Sequence, residues 1–283
     1  MKLRTISASE VESKLVEAIG HITFNPDPDI LPALQHAYVQ ETSPLTKDVL
    51  NSIITNVDLA GRNSVPLCQD TGSLVVFAEA GNELIIDGEP LESIINHALE
   101  ICTEKYYLRA SIVTDPLFNR DNSGNNSPAI VHIRIVEGNG LRIRIAQKGG
   151  GAENMSRLKM FNPGASPADI TEFVVESVQL AGAKACPPLI IGVGIGGNFE
   201  QCALLAKEAL FTPLTETHPN ELYANLEKEI LKAVNETMIG AQGMGGSITA
   251  LKVSIKEAPC HIASLPVAVN IQCHSHRHIT IDI

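Results

Sequence analysis

Residues 131–145 constrain the fold more than any other stretch. Val131, Ile133 and Ile135 alternate with other residues, Gly138-Asn139-Gly140 follows, and Leu141, Ile143 and Ile145 alternate again. A period of two marks strands with one buried face, and a glycine-flanked turn between two such runs predicts a β-hairpin. Around it the period changes to that of a helix. Ser43-Pro44 offers a cap and a first-turn proline, and Leu45, Val49, Leu50, Ile53, Ile54 and Val57 recur at helical spacing until Gly61. The first sixty residues read as helices. A second amphipathic helix is expected over 90–108 through Leu91, Ile94, Ile95, Ala98 and Ile101, a third from Ser166-Pro167 to about Ala181, and others near 199–210 and 220–239.

Buried strands are expected at 73–79, 189–194, 248–255 and 265–271. Strands and helices do not alternate in a regular βαβ rhythm, so the expected class is α+β. No low-complexity linker or repeat interrupts the chain. A largely helical single domain over 1–283, with a small central β-sheet, is the simplest organisation.

Composition excludes several roles. A formal net charge of −11 argues against a general nucleic-acid or anionic-membrane surface. With no Trp, four Tyr and seven Phe, the chain is also poor in groups that stack on bases. No apolar run reaches the length of a transmembrane helix, and acidic residues stand where a signal peptide would be apolar. A cytoplasmic protein is expected, without membrane or nucleic-acid partners. In that reducing setting the six cysteines suit metal binding or burial better than disulfides.

Five segments fit neither core nor plain surface: PLCQDTG (66–72), LRASIVTDP (108–116), KGGGAEN (148–154), CPPLIIGVGIGGN (186–198) and IGAQGMGGS (239–247). Each combines glycine or proline with a reactive or charged side chain, a composition that lets backbone approach a ligand. Cys68, Cys186 and Cys273 fall at the ends of expected elements, where a thiolate can reach a site. No Cys-x-x-Cys unit is present, so spacing alone leaves ligand and small buried hydrophobe both open. Cys102 and Cys202 lie within helical patterns and read as packing. Cys260, beside His261 in a loop, is a reserve ligand.

Gly192, Gly194 and Gly197 satisfy a dinucleotide glycine pattern after a strand and before a helix. No acidic residue ends a second strand about twenty residues on, which argues against a nicotinamide cofactor. What survives is a set of backbone N–H groups at a helix start, favourable for an anion such as a carboxylate. His274, His276 and His278 alternate; they suggest an incomplete zinc site or, preferably, a polar strand or tail touching a partner.

Taken together, CQDTG, KGGGAEN, CPP with GVGIGG, GAQGMGG and the closing HIASLPVAVNIQC resemble, in order and over about residues 30–273, the alpha subunit of the class I, iron–sulfur-dependent fumarase and L(+)-tartrate dehydratase family. The resemblance implies a [4Fe–4S] cluster on Cys68, Cys186 and Cys273, one iron staying open as a Lewis acid. It implies that Gln69, Asp70, Arg109 and Gly150 face a small dicarboxylate. Asp70 and His261 would be the acid–base groups, although Asp70 also reads as a turn cap, Arg109 as a solvated helix-end arginine and His261 as a structural histidine. Single-chain relatives continue into a second domain, so a separate beta subunit is expected, in a heterotetramer of two alpha and two beta chains. Reversible hydration of fumarate to L-malate is the leading activity. Tartrate dehydration, methylfumarate hydration and a non-catalytic iron–sulfur sensor are the alternatives.

Overall fold

A computed structural model describes residues 3–283. In chain order the elements are β1 (Arg4–Ser7), α1 (Ala8–Phe24), α2 (Ile30–Gln40), α3 (Pro44–Asn63), β2 (Ser73–Gly81), β3 (Leu84–Asp87), α4 (Leu91–Lys105), β4 (Ile130–Val136), β5 (Leu141–Lys148), the single turn α5 (Gly150–Glu153), β6 (Arg157–Phe161), α6 (Pro167–Ala181), β7 (Leu189–Gly196), α7 (Phe199–Ala209), α8 (Glu221–Asn235), β8 (Ala250–Ala258), β9 (Leu265–Gln272) and β10 (Arg277–Asp282). The class is α+β, as expected. The strands form two four-stranded sheets and a parallel pair, β1 with β3.

Two compact units are present. The first comprises residues up to Asp27, Asn56–Gly150 and Ser275–Ile283; the second comprises Pro28–Thr55 and Gly151–His274.

The first unit is built on the sheet β10-β5-β2-β4. Leu74, Val76 and Ala78 of β2 and Leu141, Ile143 and Ile145 of β5 join one core with Leu15, Ile19 and Ile22 of α1 and Ile94, Ile95 and Leu99 of α4. The helical stripe of α4 is shifted from the sequence reading: Ile101 is 41% exposed, while Leu99 and Cys102 turn inward. The expected hairpin does not form. The strands β4 and β5 are both present, but β2 lies between them, parallel to β4 and antiparallel to β5. β2 is buried over Leu74–Ala78 on both faces, so it takes the central position, where its backbone is paired on both edges. The glycine turn passes around its end: Gly81 N–H donates to Gly140 O and Glu83 N–H to Gly138 O. β4 is left at the edge, with Ile133 and Ile135 50% and 67% exposed.

The histidine-rich end is not a polar tail. His276, Arg277 and His278 are buried, and β10 pairs with β5 in the register Arg277↔Gln147. Burial, with Lys148 close by, lowers the His276 imidazole to about 3. His278 is lowered too, by burial first, then by His276, Lys148 and Arg277. The unfolded chain takes up protons near the ordinary value of 6.5, while the folded chain keeps these rings neutral. Stability is therefore present above about pH 6.5 and lost as pH falls from there towards 4, by roughly 3 kcal/mol for one such ring. Urea unfolding at pH 7.5 and pH 5 is the check. His276→Asn, which tolerates the local φ of +33°, is expected to lose less stability on acidification than wild type.

The second unit is built on the sheet β6-β9-β7-β8, with helices on both faces. Ile191, Val193 and Ile195 of β7 point into a core with Phe173, Val174 and Val178 of α6 and Leu226, Ile230 and Val234 of α8. The alternate residues Gly192 and Gly194 face α7. A Cβ at Gly192 would lie 2.0 Å from Ala206 O, and one at Gly194 2.0 Å from Cys202 O. The glycines of GVGIGG thus let a helix seat directly on a strand, and the N–H groups expected to bind an anion are partly spent in sheet pairing. The helix start is capped internally, Asn198 accepting from Gln201 N–H. At α6 the Ser166-Pro167 start is a full capping box with Asp169. Among the described residues, no helix is long and apolar enough to cross a membrane.

Candidate active site

In the first unit the chain between α3 and β2 is tied down before it reaches Cys68. Leu67 N–H donates to Thr23 O at 2.9 Å, and Asn56 Nδ2 donates to Leu67 O at 3.0 Å. Cys68 is half-buried and Gln69 exposed. The antiparallel pairing of β2 with β5, Ser73 opposite Lys148, then brings the loops PLCQDTG and KGGG together. Contact there is too close for any side chain at Gly72: its φ is +73°, and a Cβ would stand 2.3 Å from Lys148 O.

Asp70 joins the two loops. Its Oδ1 accepts from Gly72 N–H at 2.9 Å, and its Oδ2 accepts from Gly150 N–H at 2.8 Å. The turn-cap reading of Asp70 is therefore correct as geometry, and the cap also clamps a second loop. Each carboxylate oxygen keeps further acceptor capacity for a ligand or water. Gly150 N–H, expected to face a ligand, is engaged by this carboxylate. Thr71 Oγ1 donates to Arg109 O at 2.7 Å, holding the exposed Arg109 beside the same loop. Cys68, Gln69, Asp70, Arg109 and Gly150 are thus gathered at one end of the first unit's sheet.

In the second unit Cys186 follows the turn Gly182–Ala185 in a left-handed conformation, φ 53° and ψ 65°, and is exposed. Pairing of β7 with β9, Ile190 opposite Gln272, carries Cys186 and Cys273 to one end of the sheet. His274 N–H donates to Cys186 O at 3.4 Å. The IGAQGMGGS segment lies behind. Gln242 donates to Pro187 O through both its backbone N–H, at 2.8 Å, and its Nε2, at 3.0 Å. That loop is in turn held by Glu41, whose Oε2 accepts from Ser247 N–H at 2.8 Å and Ile248 N–H at 3.3 Å. Burial pushes the Glu41 carboxyl up, but these donors, with Thr42 and Ser43 N–H, outweigh it and leave it below its usual value. Gln242 and Glu41 were not singled out from the sequence. The clustering of glycines after Gly240 was the visible signal, and it marks a clamp on the Cys186 turn.

His261 is elsewhere. It sits on the exposed loop before β9, with Nδ1 accepting from Ala263 N–H at 3.1 Å. The eight residues of β9, roughly 26 Å at ~3.3 Å per residue, separate it from Cys273. Cys260 shares that loop, its thiol donating to Ser264 O. Cys102 and Cys202 are fully buried packing residues; burial pushes the Cys102 thiol up to about 12 and raises Cys202 as well.

The sequence matches the fumarate hydratase (Fumerase) family over residues 12–282. The chain belongs to that family. It is accordingly a hydro-lyase polypeptide. Within the family it is 40% identical over 275 residues, 95% of either chain, to a protein of Methanocaldococcus jannaschii named putative L(+)-tartrate dehydratase subunit alpha. It is 31% identical over 278 residues, 96% of this chain and 91% of the other, to the L(+)-tartrate dehydratase subunit alpha of Escherichia coli.

The donor set of the chain suits an iron–sulfur cluster. Cys68, Cys186 and Cys273 are at least partly exposed and stand at element ends beside glycine and proline loops; Cys260 is exposed too, on the loop of His261, whereas Cys102 and Cys202 are sealed in cores. Thiolate is the ligand such clusters require. Among the described residues, no three His, Cys, Asp or Glu converge tightly enough for a single metal ion.

Proposed function

We propose that the chain is the cluster-binding alpha subunit of a cytoplasmic hydro-lyase that interconverts fumarate and L-malate, with a separate beta subunit in an assembly of two alpha and two beta chains. The observation that carries this reading is the Asp70 carboxylate, clamped between Gly72 and Gly150 two residues from Cys68, in a member of the fumarate hydratase family. Cys68, Cys186 and Cys273 are the proposed ligands of a [4Fe–4S] cluster. When bound, that cluster supplies an open iron as a Lewis acid for the departing hydroxyl.

The rest falls to the chain's own side chains. Asp70 delivers a proton to the leaving hydroxyl while a second group takes the proton from the neighbouring carbon; in hydration Asp70 takes a proton from water and the second group returns one to that carbon. Its two backbone donors orient the carboxyl so that the remaining lone pairs face the substrate. Arg109 pairs a substrate carboxylate through its planar guanidinium, which suits a dicarboxylate better than a lysine would. Gln69 offers one amide donor and acceptor, and the Gly150 backbone forms a side-chain-free wall. His261 is the second proposed proton-transfer group. Its place along β9 means that it does not share a site with Cys273 of its own chain by simple proximity.

L(+)-Tartrate dehydration is the second reading, favoured by the names of both relatives. Both substrates are 2-hydroxy dicarboxylates losing water, so the groups above serve either.

Iron and acid-labile sulfide measured after anaerobic reconstitution test the ligand set. Wild type and Cys260→Ser are expected to hold about four of each per chain, while Cys68→Ser, Cys186→Ser and Cys273→Ser lose most of it. Retention of full iron by any of those three variants removes that ligand from the set. Fumarate, L-malate and L(+)-tartrate assayed with the beta subunit then decide the substrate. Full activity of the alpha chain alone would overturn the two-subunit reading, because the positioning groups of the partner would be dispensable.

A further inference from the structure

We infer that Arg277 is a positioning residue that holds the Asp70 loop in its working conformation, a role that rests on the reading of Asp70 as an acid–base group. Arg277 is 3% exposed, and on β10 it stands opposite Gln147 of β5. Its Nη2 donates to Asp70 O at 2.8 Å, and its Nη1 donates to Gln147 Oε1 at 3.3 Å. Gln147 in turn donates through Nε2 to Thr23 Oγ1 at 3.1 Å, and Thr23 Oγ1 donates to Ile19 O at 2.8 Å. A continuous chain of hydrogen bonds thus runs from the backbone of α1, through the buried side chains of Thr23, Gln147 and Arg277, to the peptide of residue 70.

What this guanidinium lacks is equally informative. Among the described residues it pairs with no carboxylate, and its buried Nε has no hydrogen-bond partner. Arg277 adjoins the buried, neutral rings of His276 and His278 in sequence, and the other cation that acts on His278 is Lys148, of like sign. A guanidinium cannot shed its proton to escape such a place. A cation serving stability alone is better placed beside a carboxylate, since an uncompensated buried charge is costly. Here its shortest bond is charge-assisted and falls on the backbone of the residue whose carboxylate joins Gly72 to Gly150. With the 70–71 peptide held from behind, the Asp70 side chain is left to span the two N–H groups in front. A lysine has the charge but not the fork, and cannot satisfy Gln147 Oε1 and Asp70 O together.

Hydrogen exchange of individual amides in the isotope-labelled full chain tests this without reference to activity. In Arg277→Lys and Arg277→Gln the Gly72 and Gly150 amides, which donate to Asp70, are expected to exchange about tenfold faster or more, while Val76 and Ile145 in the sheet keep wild-type protection. Unchanged exchange at Gly72 and Gly150 in a folded variant overturns the inference. So does uniform acceleration of all four amides, which would mark a merely structural arginine. Should neither variant fold, Gln147→Met removes the second acceptor and keeps Arg277. A smaller acceleration confined to the same two amides then supports the inference, and none overturns it. With the beta subunit present, Arg277→Lys is expected to lower kcat about tenfold with KM within about twofold and iron content unchanged. If the amides respond but wild type itself hydrates no dicarboxylate, the positioning role stands and the proposed function fails.

Discussion

Asp70→Asn is expected to lower kcat by about 10²–10⁴-fold, the usual range for losing a positioned acid–base group, with iron and sulfide content at the wild-type level. The substitution keeps one oxygen, which accepts from either Gly72 or Gly150 N–H. It turns an NH₂ towards the other, so that two donors face each other across a gap that now measures 2.8–2.9 Å. The loop loosens slightly, but Cys68 stays anchored through Leu67 and Thr23. What is lost is the exchangeable proton. Steady-state rates in both directions, measured beside iron content, check this. A variant within about threefold of wild-type kcat would leave Asp70 as a turn cap and nothing more.

Gly194→Ala is expected to cost about 3 kcal/mol or more of stability, a large share of the ~5–15 kcal/mol that holds a typical domain. A methyl there would lie 2.0 Å from Cys202 O and 2.6 Å from Ala206 N. Both are backbone atoms of α7, so no side chain can rotate away and the whole helix must lift from the sheet. That would open the contact of Ala206 and Cys202 with Ala268 on β9. Urea unfolding of wild type and variant measures the loss. The same experiment separates two readings of GVGIGG. Packing glycines predict a collapse in stability. Anion-binding glycines predict a normal unfolding midpoint with weakened dicarboxylate binding, and that result would overturn the packing account.

Element type was legible wherever a local pattern was strong. The Ser166-Pro167 start, the apolar run 73–79 and the alternation at 131–135 and 141–145 all became the elements their periods required. The pairing was not legible. A Gly-Asn-Gly turn between alternating runs permits a hairpin, but β2, buried on both faces over most of its length, needs partners on both edges and takes the place between them. Hydrophobic burial over the whole sheet outweighs one turn preference. The same competition hid the C-terminal histidines, whose polar side chains read as solvated. Their burial depends on β5 and α1, elements more than a hundred residues earlier.

The class of elements, the family, and which cysteines stand at element ends can all be read from the chain, because they depend on residues close together in it. Only the assembled sheets bring Asp70 to Gly150 and Cys186 to the end of β9, and leave His261 at the other end of that strand. They also set Arg277 behind residue 70 across 207 positions of sequence. Such contacts follow from strand order and register. Those are selected by the total burial of two cores, and no local pattern carries that sum.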